Sequence, residues 1–70
     1  MPTGRLKVWN PDRGFGFIAV DSGGHDVFLH ASDLRNSGID PDKVRIGDRL
    51  TFEIISARNG RTKAGNLRMA

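Results

Sequence analysis

Short stretches in which apolar and polar residues alternate recur along the chain, separated by Gly, Pro, Asn and Asp residues. They cover residues 5–9, 15–18, 26–30, 50–54 and, less regularly, 63–69. Alternation with a period of two is typical of half-buried strands. No interval between the breaks reaches the roughly 10–14 residues of an average helix. The pattern therefore predicts an all-β barrel or sandwich of five short strands.

The connections carry recognisable turn signals. Asn59-Gly60 is the strongest hairpin signal, because both residues tolerate a positive φ. Asp40 and Pro41 are expected to open one helical turn, with Asp40 as the N-cap. Residues 32–35 are a second candidate for a helical turn. No change of composition marks a linker, so residues 1–70 are expected to form a single domain.

The third strand divides its side chains between two faces. Val27 and Leu29 supply an apolar face that is suited to a core. Phe28 lies on the opposite face, between Asp26 and His30. A phenylalanine that shares a face with two polar neighbours is predicted to face solvent.

The second strand repeats this arrangement. Ile18 is the natural core residue, which leaves Phe15 and Phe17 outward. Gly14 and Gly16 then point inward, where another chain segment can approach closely. The alternative, in which the phenylalanines fill the space between two sheets, stays open on the sequence alone.

The first strand alternates strictly. This alternation places Val8 with Leu6 toward the core and places Lys7 with Trp9 on the outer, ligand-facing side.

An outward row of aromatic residues rimmed by Lys7 and Arg13 predicts a binding surface. Large exposed apolar patches mark interaction sites. Nucleobases offer π-faces for stacking, and basic side chains hold the phosphates of the same ligand.

The charge distribution is compatible with such a ligand. The net charge is +3, with a pI near 10.2. Residues 1–18 carry +2, residues 19–48 carry −3 and residues 49–70 carry +4. A basic face for a polyanion and an ordinary solvated surface both fit these values. The absence of cysteine excludes disulfides and thiolate metal sites.

Two motifs carry a family resemblance. Residues 13–18 (RGFGFI) look like the first RNP motif, [KR]-G-[FY]-[GA]-F-[VI], and residues 27–30 (VFLH) look like the second. In RNA-recognition-motif domains the second RNP motif precedes the first RNP motif in the chain, and two helices are required. Here the first RNP motif precedes the second, and GRLK at residues 4–7 precedes both. This order resembles the bacterial cold-shock protein family. The similarity spans about residues 4–67.

The resemblance implies a five-stranded antiparallel OB-fold barrel that binds single-stranded RNA and DNA with low sequence specificity. It also implies an RNA chaperone that melts secondary structure and affects transcription or translation. The binding positions carried over are Lys7, Trp9, Arg13, Phe15, Phe17, Asp26, Phe28 and His30. Additional phosphate contacts are expected from Arg58, Arg61, Lys63 and Arg68.

The chain departs from the family pattern at several positions. Val8 and Ala31 stand where the family usually has aromatic residues, and Ile39 replaces an aromatic in the long loop. The resemblance makes position 8 a stacking site, whereas strict alternation turns Val8 toward the core. A bulge near the end of the first strand would reconcile the two, because it lets neighbouring side chains share the outer face. Lys63 stands where the family usually has Gln, which adds a charge. Up to three stacking platforms are therefore expected to be missing.

Other functions find less support in the residues. His25, Asp26 and His30 are the only cluster worth testing as a metal site. They supply at most three ligands, and these do not all lie on the same face of the strand, whereas a zinc site needs three or four ligands that converge. No catalytic triad or phosphate-cradling loop is evident, so the chain is expected to be a non-enzyme without metal or cofactor. The alternatives are a protein-interaction barrel and a nucleic-acid-binding module of a larger protein.

No stretch of the sequence resembles a spanning helix or a secretory signal. The chain is therefore expected to be a cytoplasmic monomer with no membrane partner and no small-molecule substrate.

Overall fold

The computed structural model describes residues 2–56 and 61–70. The five strands are β1 (Thr3–Asn10), β2 (Phe15–Val20), β3 (Val27–His30), β4 (Arg49–Ser56) and β5 (Thr62–Met69). Helical structure in this part of the chain is limited to α1 (Ala31–Asn36) and a 3₁₀ turn over Pro41–Lys43. The prediction of an all-β domain with five short strands is confirmed. The predicted hairpin turn at Asn59-Gly60 lies outside the described residues.

All five strands belong to one sheet whose pairing order closes on itself. β1 pairs antiparallel with β2 and β4, and β2–β3 and β4–β5 are also antiparallel. β3 and β5 complete the ring in parallel orientation, through Phe28 and Lys63. A closed ring with an odd number of strands cannot alternate in direction throughout. The expectation of antiparallel pairing is therefore wrong at this one pair.

A β-bulge interrupts β1. Leu6 pairs with Ile18, but Val8 pairs with Phe17, so the register shifts between them. The extra residue reverses the inward–outward alternation beyond this point. Val8 is 42% exposed as a result. The prediction that Val8 faces the core is wrong, and the alternative of a bulge is confirmed.

The core lies inside the closed sheet. The residues predicted to point inward from β2 and β3, Ile18, Val27 and Leu29, are at most 4% exposed. Phe52 of β4 is the largest side chain that is fully buried. Fully burying an aliphatic or aromatic side chain of this size contributes about 1.5–3 kcal/mol. The inward residues of the strands therefore supply most of the driving force for folding.

Helix α1 packs against β3 and β5 and contributes to the same core. Its Leu34 is fully buried. Ser37, directly after the helix, fastens it to β5, because its Oγ donates to the Asp33 carbonyl (2.8 Å) and accepts from the Leu67 amide (2.9 Å). The 3₁₀ turn begins as predicted, with Asp40 accepting from the Asp42 amide. No helix within residues 2–56 and 61–70 is long and apolar enough to cross a membrane.

Candidate nucleic-acid interface

Three phenylalanine rings and one imidazole lie together on the outer face of β2 and β3. We name Phe15, Phe17, Phe28 and His30 the aromatic cluster. Cross-strand pairing puts Phe17 opposite Phe28 and Phe15 opposite His30. Ring centroids are 5.8 Å apart for Phe17 and Phe28, and 6.1 Å apart for Phe15 and Phe28. These separations are those of interacting aromatic pairs. Each phenylalanine is half-buried and keeps solvent-accessible surface.

The rings lie outside the hydrophobic core of the closed sheet. Gly16 and Ile18, which follow Phe15 and Phe17 along β2, are buried, because successive residues of a strand point to opposite faces. The alternative in which the phenylalanines fill a gap between two sheets is wrong, because all five strands form one sheet. A continuous aromatic surface thus covers the second and third strands.

Gly16 allows β1 to approach the aromatic strands closely, as predicted. A Cβ atom at Gly16 would lie 2.1 Å from the carbonyl oxygen of Val8 and 2.9 Å from the ring of Trp9. The contact holds the bulged end of β1 directly beside β2. Val8, turned outward by the bulge, lies there opposite Phe17.

Trp9 takes the opposite side of β1 from the one predicted. The bulge pairs Trp9 with the inward-facing Gly16, and the indole is half-buried and packs against the core. The ring also borders an open cavity of about 550 Å³ beside the aromatic cluster, where Arg13, Arg35 and Ile39 contribute to the walls. Trp9 is therefore placed to contact a ligand at the end of the cluster rather than on its face.

His30 extends the cluster and caps α1. Its ring centroid lies 6.3 Å from that of Phe28. The imidazole Nδ1 accepts a hydrogen bond from the Ser32 amide at 3.0 Å and lies 2.9 Å from the Ser32 hydroxyl. A nitrogen that accepts from an amide carries no proton, so the ring proton is on Nε2. This N–H is available to donate to a ligand.

Charged side chains lie on the segments that flank the strands of the cluster. The Lys7 Nζ lies 3.2 Å from the Asp26 carboxylate, and both side chains are exposed. Arg13 and Arg61 are exposed as well. The turn that carries Arg13 is closed by a hydrogen bond from its amide to the Asn10 side chain. Exposed guanidinium and ammonium groups at the edge of an aromatic surface are suited to phosphate groups.

Lys63 is held more firmly than the sequence indicates. Its Nζ lies 3.2 Å from Asp33 Oδ1, and the Asp33 side chain is only 12% exposed. The other carboxylate oxygen of Asp33 is buried with no hydrogen-bond partner among the described residues. Lys63 therefore neutralises a mostly buried charge and is not a freely extended cation. Arg58, a further predicted phosphate contact, lies outside the described residues.

Two residues that line the surface were not among the predicted site residues. Val8 depends on the bulge, which the family resemblance at position 8 indicated and the alternation of β1 did not. Arg35 follows from α1, whose last turn orients its exposed side chain toward the cavity. The candidate helical turn at residues 32–35 was the signal that could have found it.

The histidines and carboxylates do not converge. No group of three or more His, Cys, Asp or Glu side chains within the described ranges is arranged to hold a metal ion. His25 lies in the exposed turn before β3, while His30 is at its far end.

A model of the 'Cold-shock' DNA-binding domain matches residues 2–70. The chain belongs to the cold-shock domain family. Cold shock protein CspA of Rhizobium meliloti is 38% identical to it over 71 residues, and the match covers both chains completely. Cold shock protein ScoF of Streptomyces coelicolor is 40% identical over 60 residues, which are 86% of this chain and 87% of that protein. Glycine-rich protein 2 of Nicotiana sylvestris is 41% identical over 61 residues. That match covers 87% of this chain but only 28% of the tobacco protein.

Cold-shock domains are a nucleic-acid-binding family, and this member differs from the usual pattern at three aromatic positions. Val8 is exposed beside Phe17, Ile39 is half-buried at the cavity, and Ala31 is 3% exposed beneath the turn that contains Gly14. Ala31 also borders the cavity, but its side chain is almost fully buried, so Val8 and Ile39 present most of the side-chain surface at the three positions.

Proposed function

We propose that this cold-shock domain is an OB-type barrel that binds single-stranded RNA and DNA through the aromatic cluster. The observation that carries the proposal is the group of three phenylalanine rings on the outer face of β2 and β3, with exposed cations around it. Every base has a π-face, so stacking discriminates little between sequences. A base inside a duplex is already stacked and cannot use these rings.

The polar groups at the edge have separate roles. The phosphates are held by Lys7, Arg13, Arg61 and, in the segment outside the described residues, Arg58. The His30 Nε2–H donates to an acceptor on a base, and Asp26 accepts from an exocyclic amino group. Lys63 is already paired with the mostly buried Asp33 carboxylate, so we assign it a smaller share of the affinity.

RNA chaperone activity follows from selective binding. A protein that binds the open form of a hairpin and not the paired form shifts the equilibrium by mass action. At a free protein concentration a hundred times the dissociation constant, the shift amounts to about 2.7 kcal/mol. This melts weak structure in transcripts without any catalytic step, and it affects their transcription or translation.

We propose that the domain acts as a cytoplasmic monomer without metal, cofactor or catalytic activity. The rings of the aromatic cluster come from two paired strands of a single chain, so no second subunit is needed to assemble them. The match to 28% of Glycine-rich protein 2 supports a second possibility, that such a domain also operates as one module of a larger protein.

Alanine substitutions in the aromatic cluster test the proposal. Phe17→Ala and Phe28→Ala should each weaken binding of a single-stranded oligonucleotide by about 1–3 kcal/mol, or roughly five- to 150-fold. The free energy of unfolding should change far less than in Phe52→Ala, which removes a core ring and costs about 3–5 kcal/mol. Ile46→Ala is the matched control, since this exposed apolar side chain lies outside the cluster.

Salt dependence separates this function from docking of a protein. Oligonucleotide affinity should fall steeply as salt rises, because bound phosphates release counterions. If Phe17→Ala unfolds the domain, or if it leaves oligonucleotide affinity equal to that of Ile46→Ala, the stacking role is wrong.

A further inference from the structure

Three arginine side chains lie together on β1, β4 and β5, away from the aromatic cluster on β2 and β3. Pairing puts Arg5 directly opposite Arg49, and Arg68 opposite Thr51. Opposed residues on antiparallel strands have Cα atoms roughly 4.5–5.5 Å apart, and diagonal ones about 7–8 Å. All three arginines are exposed. We name Arg5, Arg49 and Arg68 the arginine row.

The strands fix the direction of the row. Each arginine is next to a buried leucine of the core, namely Leu6, Leu50 or Leu67. Alternation therefore points the arginines outward from the closed sheet. The chain's four phenylalanines and its tryptophan all lie elsewhere, so this surface has charge but no stacking platform.

Cations placed directly opposite each other on a sheet repel and destabilise the pair. Arg49 is partly compensated by an ion pair with Asp21. In the part of the chain that the structure describes, no ion pair involves Arg5 or Arg68. The row thus concentrates positive charge. Repulsion between the arginines lowers the stability of the fold, and the fold does not need arginine at these exposed positions.

The other carboxylates of β4 and the turn before it are engaged by neutral donors. Asp48 accepts a hydrogen bond from the Arg45 amide, and Glu53 accepts one from the Asn66 side chain. Within the described residues neither carboxylate forms an ion pair with Arg5 or Arg68, so the guanidinium groups of these two arginines are left for a ligand from outside the chain.

We infer that the arginine row is a second phosphate-binding surface, which holds nucleic-acid backbone that does not touch the aromatic cluster. Guanidinium groups match phosphate oxygens in a bidentate geometry, and a surface without aromatic residues is indifferent to whether the bases are paired. The backbone comes either from a duplex or from a long single strand that continues past Lys7, two residues from Arg5 on β1. With both surfaces, one domain holds unpaired bases on the aromatic cluster and a second stretch of phosphate backbone on the arginine row at the same time.

The test compares two double variants that lose the same charge. Arg5→Gln/Arg68→Gln removes the two cations of the row that have no ion pair in the described structure, and Lys43→Gln/Arg45→Gln removes two exposed cations elsewhere. Phe17→Ala serves as the variant of the aromatic cluster. The probes are a blunt DNA duplex of about 20 base pairs, a single strand of about 25 nucleotides and one of about six nucleotides. Thermal melts accompany each titration.

The row variant should bind the duplex or the long strand roughly tenfold more weakly at low salt, with a salt slope smaller by about 1.4–1.8. It should bind the short strand like the unsubstituted protein and melt at the same or a higher temperature, because repulsion is relieved. If affinity for the duplex falls, the row binds the backbone of paired nucleic acid. If affinity falls for the long strand alone, the row binds the backbone of a single strand that continues beyond the aromatic cluster. Phe17→Ala should show the reverse pattern, weak on the short strand and unchanged on the duplex.

The inference is overturned if the row variant binds both larger probes no more weakly than the Lys43→Gln/Arg45→Gln control. It is also overturned if the short strand loses affinity to the same extent, because the arginines would then serve the aromatic site. Failure of the short strand to bind the unsubstituted protein contradicts the proposed function alone. The duplex titration still decides the arginine row in that case.

Discussion

Val8 occupies a position where a larger side chain would enlarge the binding surface. It is 42% exposed, lies opposite Phe17 and is not part of the buried core, so a larger side chain here can extend into solvent. Val8→Trp should therefore add one stacking platform and raise oligonucleotide affinity by about 1–3 kcal/mol. Titration of the variant measures the gain, and a thermal melt checks that the fold is intact. A large loss of stability would show that Val8 is needed as a core residue.

Ala31 provides the contrasting substitution. The family resemblance makes Ala31→Phe look like a second way to extend the platform. The side chain is 3% exposed, and the Ala31 amide is fixed by a 2.8 Å hydrogen bond to the Gly14 carbonyl. A phenylalanine here has to displace packed atoms, which costs about 1–3 kcal/mol of stability or more. Ala31→Phe should lower the melting temperature and bring no gain in affinity.

The ion pair between Lys63 and Asp33 is a structural contact of this chain. Lys63→Gln leaves a mostly buried carboxylate without its cation and should lower the free energy of unfolding by about 1–2 kcal/mol. Adding Asp33→Asn removes the buried charge and should restore a good part of the loss. Urea denaturation measures both.

The control for this pair is Lys7→Gln. It breaks the exposed pair with Asp26, so stability should change by no more than about 1 kcal/mol. Equal losses in Lys7→Gln and Lys63→Gln would mean that burial of Asp33 has no energetic consequence.

At the scale of elements, the junction of β1 and β2 depends on a missing side chain. Gly16→Ala would place a Cβ 2.1 Å from the Val8 carbonyl oxygen, so the bulged end of β1 must move away. The expected cost is about 3 kcal/mol, at the upper end for overpacking, together with a loss of oligonucleotide binding. Chemical denaturation and titration measure these two effects.

Gly23→Ala separates crowding from backbone strain. Gly23 has φ +89°, with nothing within 4 Å of an added Cβ. Its substitution should cost only the strain of a left-handed residue, about 1–2 kcal/mol, and leave binding intact. If Gly16→Ala costs no more than Gly23→Ala, the close approach of β1 does not limit the fold.

The existence and type of the elements could be predicted because each strand carries its own alternation. In β3, for example, Val27 and Leu29 alternate with Phe28. This local pattern predicts both a strand and the face of it that points outward. The alternation of β1 could not predict its bulge, which depends on how Val8 meets β2 across the sheet, and only the family resemblance at position 8 indicated it. A strict period of two therefore put Val8 and Trp9 on the wrong sides.

The whole molecule adds constraints that no segment contains. Closure of five strands forces one parallel pair, which joins Phe28 to Lys63. The same closure brings α1 against β5 and so places Asp33 beside Lys63. The aromatic cluster could be predicted from single strands, whereas the partners of its surrounding charges depend on elements distant in sequence. The resemblance, which marks Lys63 as an added charge, could not indicate its pairing with Asp33 for this reason.

The central claim is that bases stack on the aromatic cluster, and it is tested most directly by removing the bases. The measurement compares an oligonucleotide of about six nucleotides with an abasic strand of the same length and charge, by fluorescence anisotropy of an end label. With two or more bases on the rings, the base-containing strand should bind at least about tenfold more tightly, at every salt concentration. Equal affinity for the two strands would show that phosphate contacts carry the binding and would contradict the account.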